Sequence, residues 1–392
     1  GGLNIGHRLL RGGGYLLRVP AIDLAEIGAG GGSIAWIDRG RALRVGPQSA
    51  GAAPGPACYG RGGALPTVTD ANVALGYLNP DFLVGGELEI DAELARRVLG
   101  DELARPLGLD LEAAALGVHA IVNSTMVRAV RAVSSEIGRD PKEFVLFAFG
   151  GSGPVHSATL AREAGIPQVV VPPAPGVFSA LGLLVSTIEH QYVQTFWRDL
   201  ESADVATLDG HFERLEREAR GTLRDEGIDD ARTTIERFLD LRYPGQTSEI
   251  MIEVPGGTFS TQALGQLAEA FHAEHENTYG HRSEEGESVE IVNVRLRARG
   301  LTEEDLTPAA LAVAGARRAR RSAAAGSARS AYFGEQHGWI ETPVVARTAL
   351  DATRCKGPLI VEEYDTTVMV PPDCETFIDE ADNIRIDVGS KH

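Results

Sequence analysis

The stretch Phe144-Val145-Leu146-Phe147-Ala148-Phe149 is an unbroken apolar run that ends on Gly150-Gly151-Ser152-Gly153-Pro154. An apolar run without alternation is what a strand covered on both faces requires. The glycines turn the chain, Val155 to Ala164 reads as a helix stopped by Gly165, and Gln168 to Val171 is the next strand, followed by Pro172-Pro173-Ala174-Pro175-Gly176. Strand, turn, helix and strand in this order predict a parallel pair joined by a right-handed crossover. That one unit holds the chain to the α/β class.

The flanking segments differ in character. As far as about residue 86 the chain is rich in glycine, with Gly12-Gly13-Gly14, Gly28-Ala29-Gly30-Gly31-Gly32 and Gly60-Arg61-Gly62-Gly63 between short strand-like pieces at 16–19, 33–38 and 42–45. Glycine permits positive φ and close backbone approach at a cost in helix and strand stability. From about 91 the pattern is helical. Asp91 is placed to cap 92–103 and Asp110 to cap 111–137, where Val118, Val122, Met126, Val130, Val133 and Ile137 form one apolar stripe and Gly138 is the stop. After about 200, Asp204 caps an amphipathic helix ending near Gly227. A hairpin is predicted from 234–243 and 248–254, then a helix from Thr261 to Tyr279 and a strand through Val292, Val294, Leu296 and Ala298. Residues 308–330 are an Ala/Arg/Ser-rich linker, and short strands broken by Pro and Gly fill 339–388.

The 392 residues, 43% hydrophobic and 23% charged, suffice for about two or three domains of ordinary globular make-up. A formal net charge of −18 argues against nucleic-acid and anionic-membrane partners, which need clustered Lys and Arg. No apolar run reads as long enough to span a bilayer. The start, Gly1-Gly2-Leu3-Asn4-Ile5-Gly6, lacks the basic and apolar regions of a signal peptide. Cys58, Cys355 and Cys374 are widely spread. They give neither a disulfide framework nor paired zinc-ligand spacing, and a reducing cytoplasm fits them. No metal site is expected within the chain.

The strongest local chemical signal is Gly150 to Pro154. A glycine turn between a buried strand and a helix either lets backbone approach a ligand, with helix N–H groups aimed at an anion or polar edge, or is a tight turn without one. It is not a Walker A loop, since no Gly-Lys-Ser/Thr follows, nor the usual dinucleotide fingerprint. Gly28 to Ser33 either wraps a phosphate or packs closely against a helix. In Thr67-Val68-Thr69-Asp70-Ala71-Asn72, Asp70 is a carboxylate for Mg²⁺ or substrate, or else Thr69 or Asp70 caps the next helix. Cys58 has no base near it in sequence to make it a nucleophile and reads as a small buried residue. His156 lies in the first turn of its helix, where the dipole disfavours an imidazolium; it reads as a satisfied structural histidine. Arg242-Tyr243-Pro244-Gly245-Gln246 is a hairpin turn whose Arg and Gln are candidates to face a partner.

Several of these segments carry a resemblance. Ile27-Gly28-Ala29-Gly30-Gly31-Gly32-Ser33-Ile34-Ala35 is similar to a signature of the hydantoinase A / oxoprolinase family, which also holds acetone carboxylase subunits. Arg44 to Ala52, Pro54 to Gly63, Pro66 to Asn72, Phe149 to Pro154, Val171 to Gly182, Arg242 to Gln246 and Gly357 to Glu363 match in the same order, so the resemblance spans nearly the whole chain.

The resemblance implies an actin-like ATPase fold, in which two related α/β lobes clasp a nucleotide. Full-length relatives carry two phosphate motifs of the Asp-x-Gly-Gly-Thr type, and neither occurs here. The chain is therefore expected to hold the later part of the second lobe (1–200), then an α+β carboxy-terminal domain (201–307), the linker (308–330) and a β-rich end (331–392). Phe149 to Pro154 corresponds to the adenosine-binding turn. Gly150, Gly151, Ser152, Gly153 and Pro154, with Gly30, Gly31 and Gly32, are thus the expected ATP-binding residues. The main Mg²⁺ and phosphate ligands would come from the motifs absent here. The implied activity is ATP-dependent hydrolysis of a cyclic amide, activated by phosphorylation, with inactivity in isolation. The implied partner is a B-type subunit or fused equivalent, which holds the metal of the second half-reaction. The alternatives are a ketone-carboxylase subunit and a non-catalytic scaffold fragment. No catalytic residue is assigned.

Overall fold

In the computed structural model, Val145–Phe147 and Gln168–Val171 pair in parallel and are joined by the helix Gly153–Ala164. The structure describes residues 26–135, 138–184, 186–255, 260–282, 288–301 and 327–389. They fall into two compact units, each described separately. The larger takes 26–135, 140–184 and 327–389, and the smaller takes 138–139 and 186–301.

The larger unit holds two extended sheets besides the two-stranded pairs Ser33–Ile37 with Leu43–Ser49 and Phe82–Leu83 with Leu88–Glu89. One has the strand order Cys355–Lys356, Cys374–Ile378, Ile384–Val388, Gln168–Val171, Val145–Phe147. The other runs Ser327–Tyr332, Trp339–Val345, Leu359–Glu362, Thr367–Val370. The helix Gly153–Ala164 buries Val155, Ala158, Ala161 and Ala164, small residues that let it lie close to its neighbours. Ile384 pairs antiparallel with Val171. Three strands of the β-rich segment expected at 331–392, Cys355–Lys356, Cys374–Ile378 and Ile384–Val388, thus join the sheet that holds Gln168–Val171 and Val145–Phe147, and adjacent strands satisfy each other's backbone groups. Ser327–Tyr332 also takes up the last residues expected in the linker.

Three other expectations change. The helix expected at 111–137 is Leu111–Ala132, without a side-chain cap from Asp110, and Val133 beyond it is exposed. By length and composition this helix passes as a membrane span. However, its Ala114, Ala115, Val118, Val122 and Val127 are buried in the unit, so it is a core helix. The strand expected at 144–149 is only Val145–Phe147 and sits at the sheet edge, where Phe144, Val145, Phe147 and Phe149 are exposed at 41–49%. Its apolar run is uncovered on one side among the described residues. The strand-like piece at 16–19 and Ile137 lie outside those residues.

The smaller unit is an antiparallel sheet of order Ile188–Asp199, Glu290–Gly300, Thr233–Arg242, Ile250–Val254, with the helices Val205–Asp225 and Thr261–Tyr279. Asp204 and Ser260 cap the two helices through Thr207 N and Ala263 N. Leu239, Leu241, Ile291, Val294 and Leu296 of the sheet share one core with Phe212 and Phe271 of the helices. Each such side chain contributes roughly 1.5–3 kcal/mol on burial. Alternating with Val294, Leu296 and Ala298 on the strand Glu290–Gly300 are Arg295, Arg297 and Arg299, which pair with Asp240, Glu236 and Glu189 of the flanking strands.

Candidate functional site

Thr67 N-caps the helix Val68–Ala74, and Asp70 closes the capping box. The Asp70 carboxylate is wholly buried. It accepts from Thr67 N, Thr67 Oγ1 and Cys58 N, each at 2.8 Å, and from Ala57 N at 3.2 Å. Buried and accepting four hydrogen bonds, Asp70 ties the 54–60 loop to the helix and serves the fold rather than Mg²⁺ or substrate. The cap is Thr67, two residues ahead of Thr69 and three ahead of Asp70, the residues expected from sequence. Cys58 lies against this carboxylate, and burial first, then Asp70, pushes its thiol up; it is no nucleophile.

Thr69, next to Asp70, turns the other way. Its hydroxyl donates to Gly31 O at 2.9 Å and its amide to the same oxygen at 2.8 Å. This brings the glycine turn ahead of Ser33–Ile37 to the mouth of a cleft of about 280 Å³. Gly31, Gly32, Thr69, Gly151 and Ser152 line one part of it. Leu78, Phe82, Leu83, Val84 and Leu88 give it an apolar wall, and residues 362–367 close it. Two glycine segments far apart in sequence thus meet at one cleft.

Of the expected ligand-binding residues, Gly31, Gly32, Gly151 and Ser152 reach the cleft. Gly30 donates instead to Ser33 Oγ at 3.0 Å. Gly150 stands behind it at φ 85°, and Pro154 is buried in the first helical turn. A Cβ on Gly31 would lie 2.7 Å from Thr69 Oγ1, and one on Gly32 2.8 Å from Ser49 Oγ. A side chain at either position would displace the neighbouring hydroxyl. At Gly153 a Cβ would meet nothing within 4 Å, and at Gly151 only Asp365 O at 3.5 Å. There the space beside the backbone is open. Ser152 N-caps the following helix without a side-chain bond, so its hydroxyl is not committed to the cap.

The carboxylates at the closing loop are mostly engaged. Glu362 accepts from Arg329 at 2.6 Å and from Asn79 at 3.3 Å. Glu363 holds Arg347 through both oxygens, at 2.6 and 3.0 Å. Burial raises the Glu363 carboxyl, with Arg347 opposing the shift. The arginines stand behind these carboxylates, and among the described residues no Lys or Arg lines the cleft. The lining therefore suits an uncharged, hydrogen-bonding ring and leaves polyphosphate charge uncompensated. None of residues 362–367 was singled out chemically in the sequence. The only available signal was the run Gly357 to Glu363, which carries no catalytic spacing.

His156 is a satisfied core histidine. Its Nδ1 donates to Asn123 Oδ1 at 2.7 Å and its Nε2 accepts from Asn72 Nδ2 at 3.2 Å. Burial lowers its pKa to about 4. In the smaller unit, Arg242 pairs with Glu290 at 3.0 Å and Gln246 donates to His275 Nε2 at 2.8 Å. That turn is braced from within. Among the described residues no cluster of three or more His, Cys, Asp or Glu side chains could hold a metal.

The family profile described as Hydantoinase/oxoprolinase matches residues 5–192, and that of the Hydantoinase/oxoprolinase C-terminal domain matches 196–386. The crystal structure of the ATP-dependent caprolactamase from Pseudomonas jessenii is similar to this chain with a TM-score of 0.83 at 34% identity, over 96% of this chain and 54% of that one. The nucleotide-free structure of acetone carboxylase, from work on ATP-dependent acetone carboxylation, gives 0.69 at 26% identity, over 95% and 54%. The acetophenone carboxylase gamma subunit of Aromatoleum aromaticum is 37% identical over 93% of this chain and 50% of its own length. The chain spans about half the length of the relatives it matches.

Proposed function

The chain belongs to the hydantoinase/oxoprolinase family, and on that premise we propose that it is the nucleoside-binding part of an ATP-dependent cyclic-amide hydrolase. The observation that carries this reading is the convergence of Gly31, Gly32, Gly151 and Ser152 on one cleft that no basic side chain lines among the described residues. Gly151 and Ser152 would hold the uncharged end of ATP, where open space flanks the backbone. The triphosphate and Mg²⁺ do not fit the lining by itself. They need residues outside this sequence, which has no Asp-x-Gly-Gly-Thr motif. Bound ATP would supply a phosphoryl group that makes a poorly reactive amide electrophilic.

Further polypeptide is required by the same reading, whether a longer form of this chain or a B-type subunit. The uncovered edge at Val145–Phe147 supports it. Phe147, Phe149 and Phe178 contact one another there at 5.2–6.2 Å between centroids, with Val177, Leu183 and Leu184 exposed beside them. An apolar patch on a free sheet edge is a docking surface. The greater similarity to the caprolactamase structure favours amide hydrolysis. The 37% identity to the acetophenone carboxylase subunit supports carboxylation as the second reading.

The test is Gly151→Val in the complete assembly. No positive φ constrains Gly151 and its Cβ contact is ordinary, so the fold tolerates the side chain while the nucleoside does not. Calorimetry should show ATP binding lost. Gly165→Ala, at a helix stop with φ 82°, should cost about 1 kcal/mol of stability and leave binding intact. Unchanged ATP affinity in Gly151→Val overturns the site. ADP release coupled to lactam opening, rather than to bicarbonate and ketone, separates the two activities.

A further inference from the structure

Three loops, two of which line the cleft, close a chain of hydrogen bonds. The amide of Gly150 donates to Pro175 O at 2.7 Å. The amide of Gly176 donates to Asp365 Oδ2 at 2.7 Å. The hydroxyl of Thr366 donates back to Gly151 O at 3.1 Å and Gly150 O at 3.3 Å. Glu363 N donates to Thr366 O at 2.9 Å, which folds 363–366 into a turn of its own. The fit is close: a Cβ on Gly176 would stand 2.6 Å from Asp365 Cβ and 2.7 Å from Asp365 O. Thr366 is 6% exposed, so water does not readily replace its hydroxyl.

We propose that Asp365 and Thr366 are positioning residues for the Gly150–Ser152 turn. Consecutive glycines have more backbone freedom than any other pair, and a turn that must be ordered at each binding event loses affinity. Thr366 engages the two glycine carbonyls, and Asp365 secures the Pro175–Gly176 loop on which the Gly150 amide rests. Gly151 and Ser152 are thereby held at the cleft before a ligand arrives. The identity of that ligand as a nucleoside rests on the function proposed above; the ordering of the turn does not.

The experiment compares Thr366→Val, which keeps the shape and removes the donor, with Thr366→Ser, which restores it. The first readout is amide hydrogen exchange of Gly150 and Gly176 in the chain without nucleotide. The second is ATP affinity in the complete assembly, measured by calorimetry. One lost hydrogen bond of this kind corresponds to about tenfold. Thr366→Val should therefore speed Gly150 exchange and weaken ATP binding by about that factor, with kcat at saturating ATP little changed, and Thr366→Ser should reverse both. Gly176→Ala, which displaces Asp365 from the opposite side, should speed the same amides and serves if Thr366→Val fails to fold. Parent-like exchange in both variants overturns the proposal. So does parent-like ATP affinity in Thr366→Val when Gly151→Val abolishes binding. If Thr366→Val and Gly151→Val both bind ATP as the parent does while exchange in Thr366→Val is faster, the nucleoside reading falls and the positioning of the turn stands.

Discussion

The imidazoles of His119 and His156 are stacked in the core of the larger unit, with centroids 4.4 Å apart and planes 17° from parallel. Asn72 joins them, its Oδ1 accepting from His119 Nδ1 at 2.8 Å and its Nδ2 donating to His156 Nε2 at 3.2 Å. Burial holds both rings neutral, His156 down to about 4 and His119 well below its usual value, with His156 adding to the shift of His119. In the unfolded chain both titrate near 6.5. Below that value the unfolded state takes up protons that the folded state refuses. Stability is therefore full above about pH 6.5 and falls toward pH 4, by up to about 1.4 kcal/mol per pH unit for each ring. Urea melts at pH 7.5 and 5.0 should show this loss, and His119→Gln with His156→Gln should flatten it. Equal midpoints for the parent at the two pH values would contradict the assignment.

Asp70 should behave as a structural residue. Asp70→Ala leaves the amides of Ala57, Cys58 and Thr67 without their acceptor, and the expected cost is about 3–5 kcal/mol. A thermal melt of the chain measures it. A variant with an unchanged melting temperature and an altered Mg²⁺ response would restore the ligand role that its sequence context permits.

In the smaller unit, Arg295 and Asp240 form a two-point pair at 2.7 and 3.2 Å with side chains 5% and 3% exposed. Asp240→Ala strands a buried guanidinium and should cost about 3–5 kcal/mol. Asp240→Leu with Arg295→Met should recover most of it, because removing both charges also removes the desolvation cost. Denaturant midpoints of the three proteins decide the matter.

The exposed rings at the sheet edge should bind a hydrophobic dye. Phe147→Ser with Phe149→Ser should lower anilinonaphthalene sulfonate fluorescence of the isolated chain while leaving its melting temperature within a few degrees, as for surface substitutions. An unchanged dye signal would mean that this patch is covered.

The isolated chain should bind Mg²⁺·ATP weakly or not at all, since among the described residues the cleft offers no cation to the phosphates. Micromolar, Mg²⁺-dependent affinity measured by calorimetry on the chain alone would count against the division of labour proposed here.

The elements legible in the sequence are those with a local cause. Thr261–Tyr279 and Val205–Asp225 form where a capping residue precedes an amphipathic repeat. Thr233–Arg242 and Ile250–Val254 form where two β-prone runs flank Pro244-Gly245. The crossover at 145–171 was readable for the same reason, although its first strand proved shorter. The apolar run at 144–149 could not say whether a neighbour lies on its far side. Helix 111–132 likewise could not be told from a membrane span by composition, and only its packed face distinguishes it.

The site divides along the same line. Gly31, Gly151 and Ser152 could be nominated from sequence, because glycine turns beside strands and helices have a local meaning. That they share a cleft was not readable, nor that Thr69 faces it while Asp70 does not. A helix turns about 100° per residue, so these adjacent side chains point apart, and the fold decides which one meets the ligand space. Residues 364–367 carry no motif, and 362–367 reach the cleft because Leu359–Glu362 and Thr367–Val370 pair in register and set the loop between them beside Gly150 and Gly176. Sequence alone determined the turns and helices, whose energies depend on near neighbours. The tertiary structure decided which turns meet, because strand pairing joins residues whose separation along the chain leaves no periodic trace.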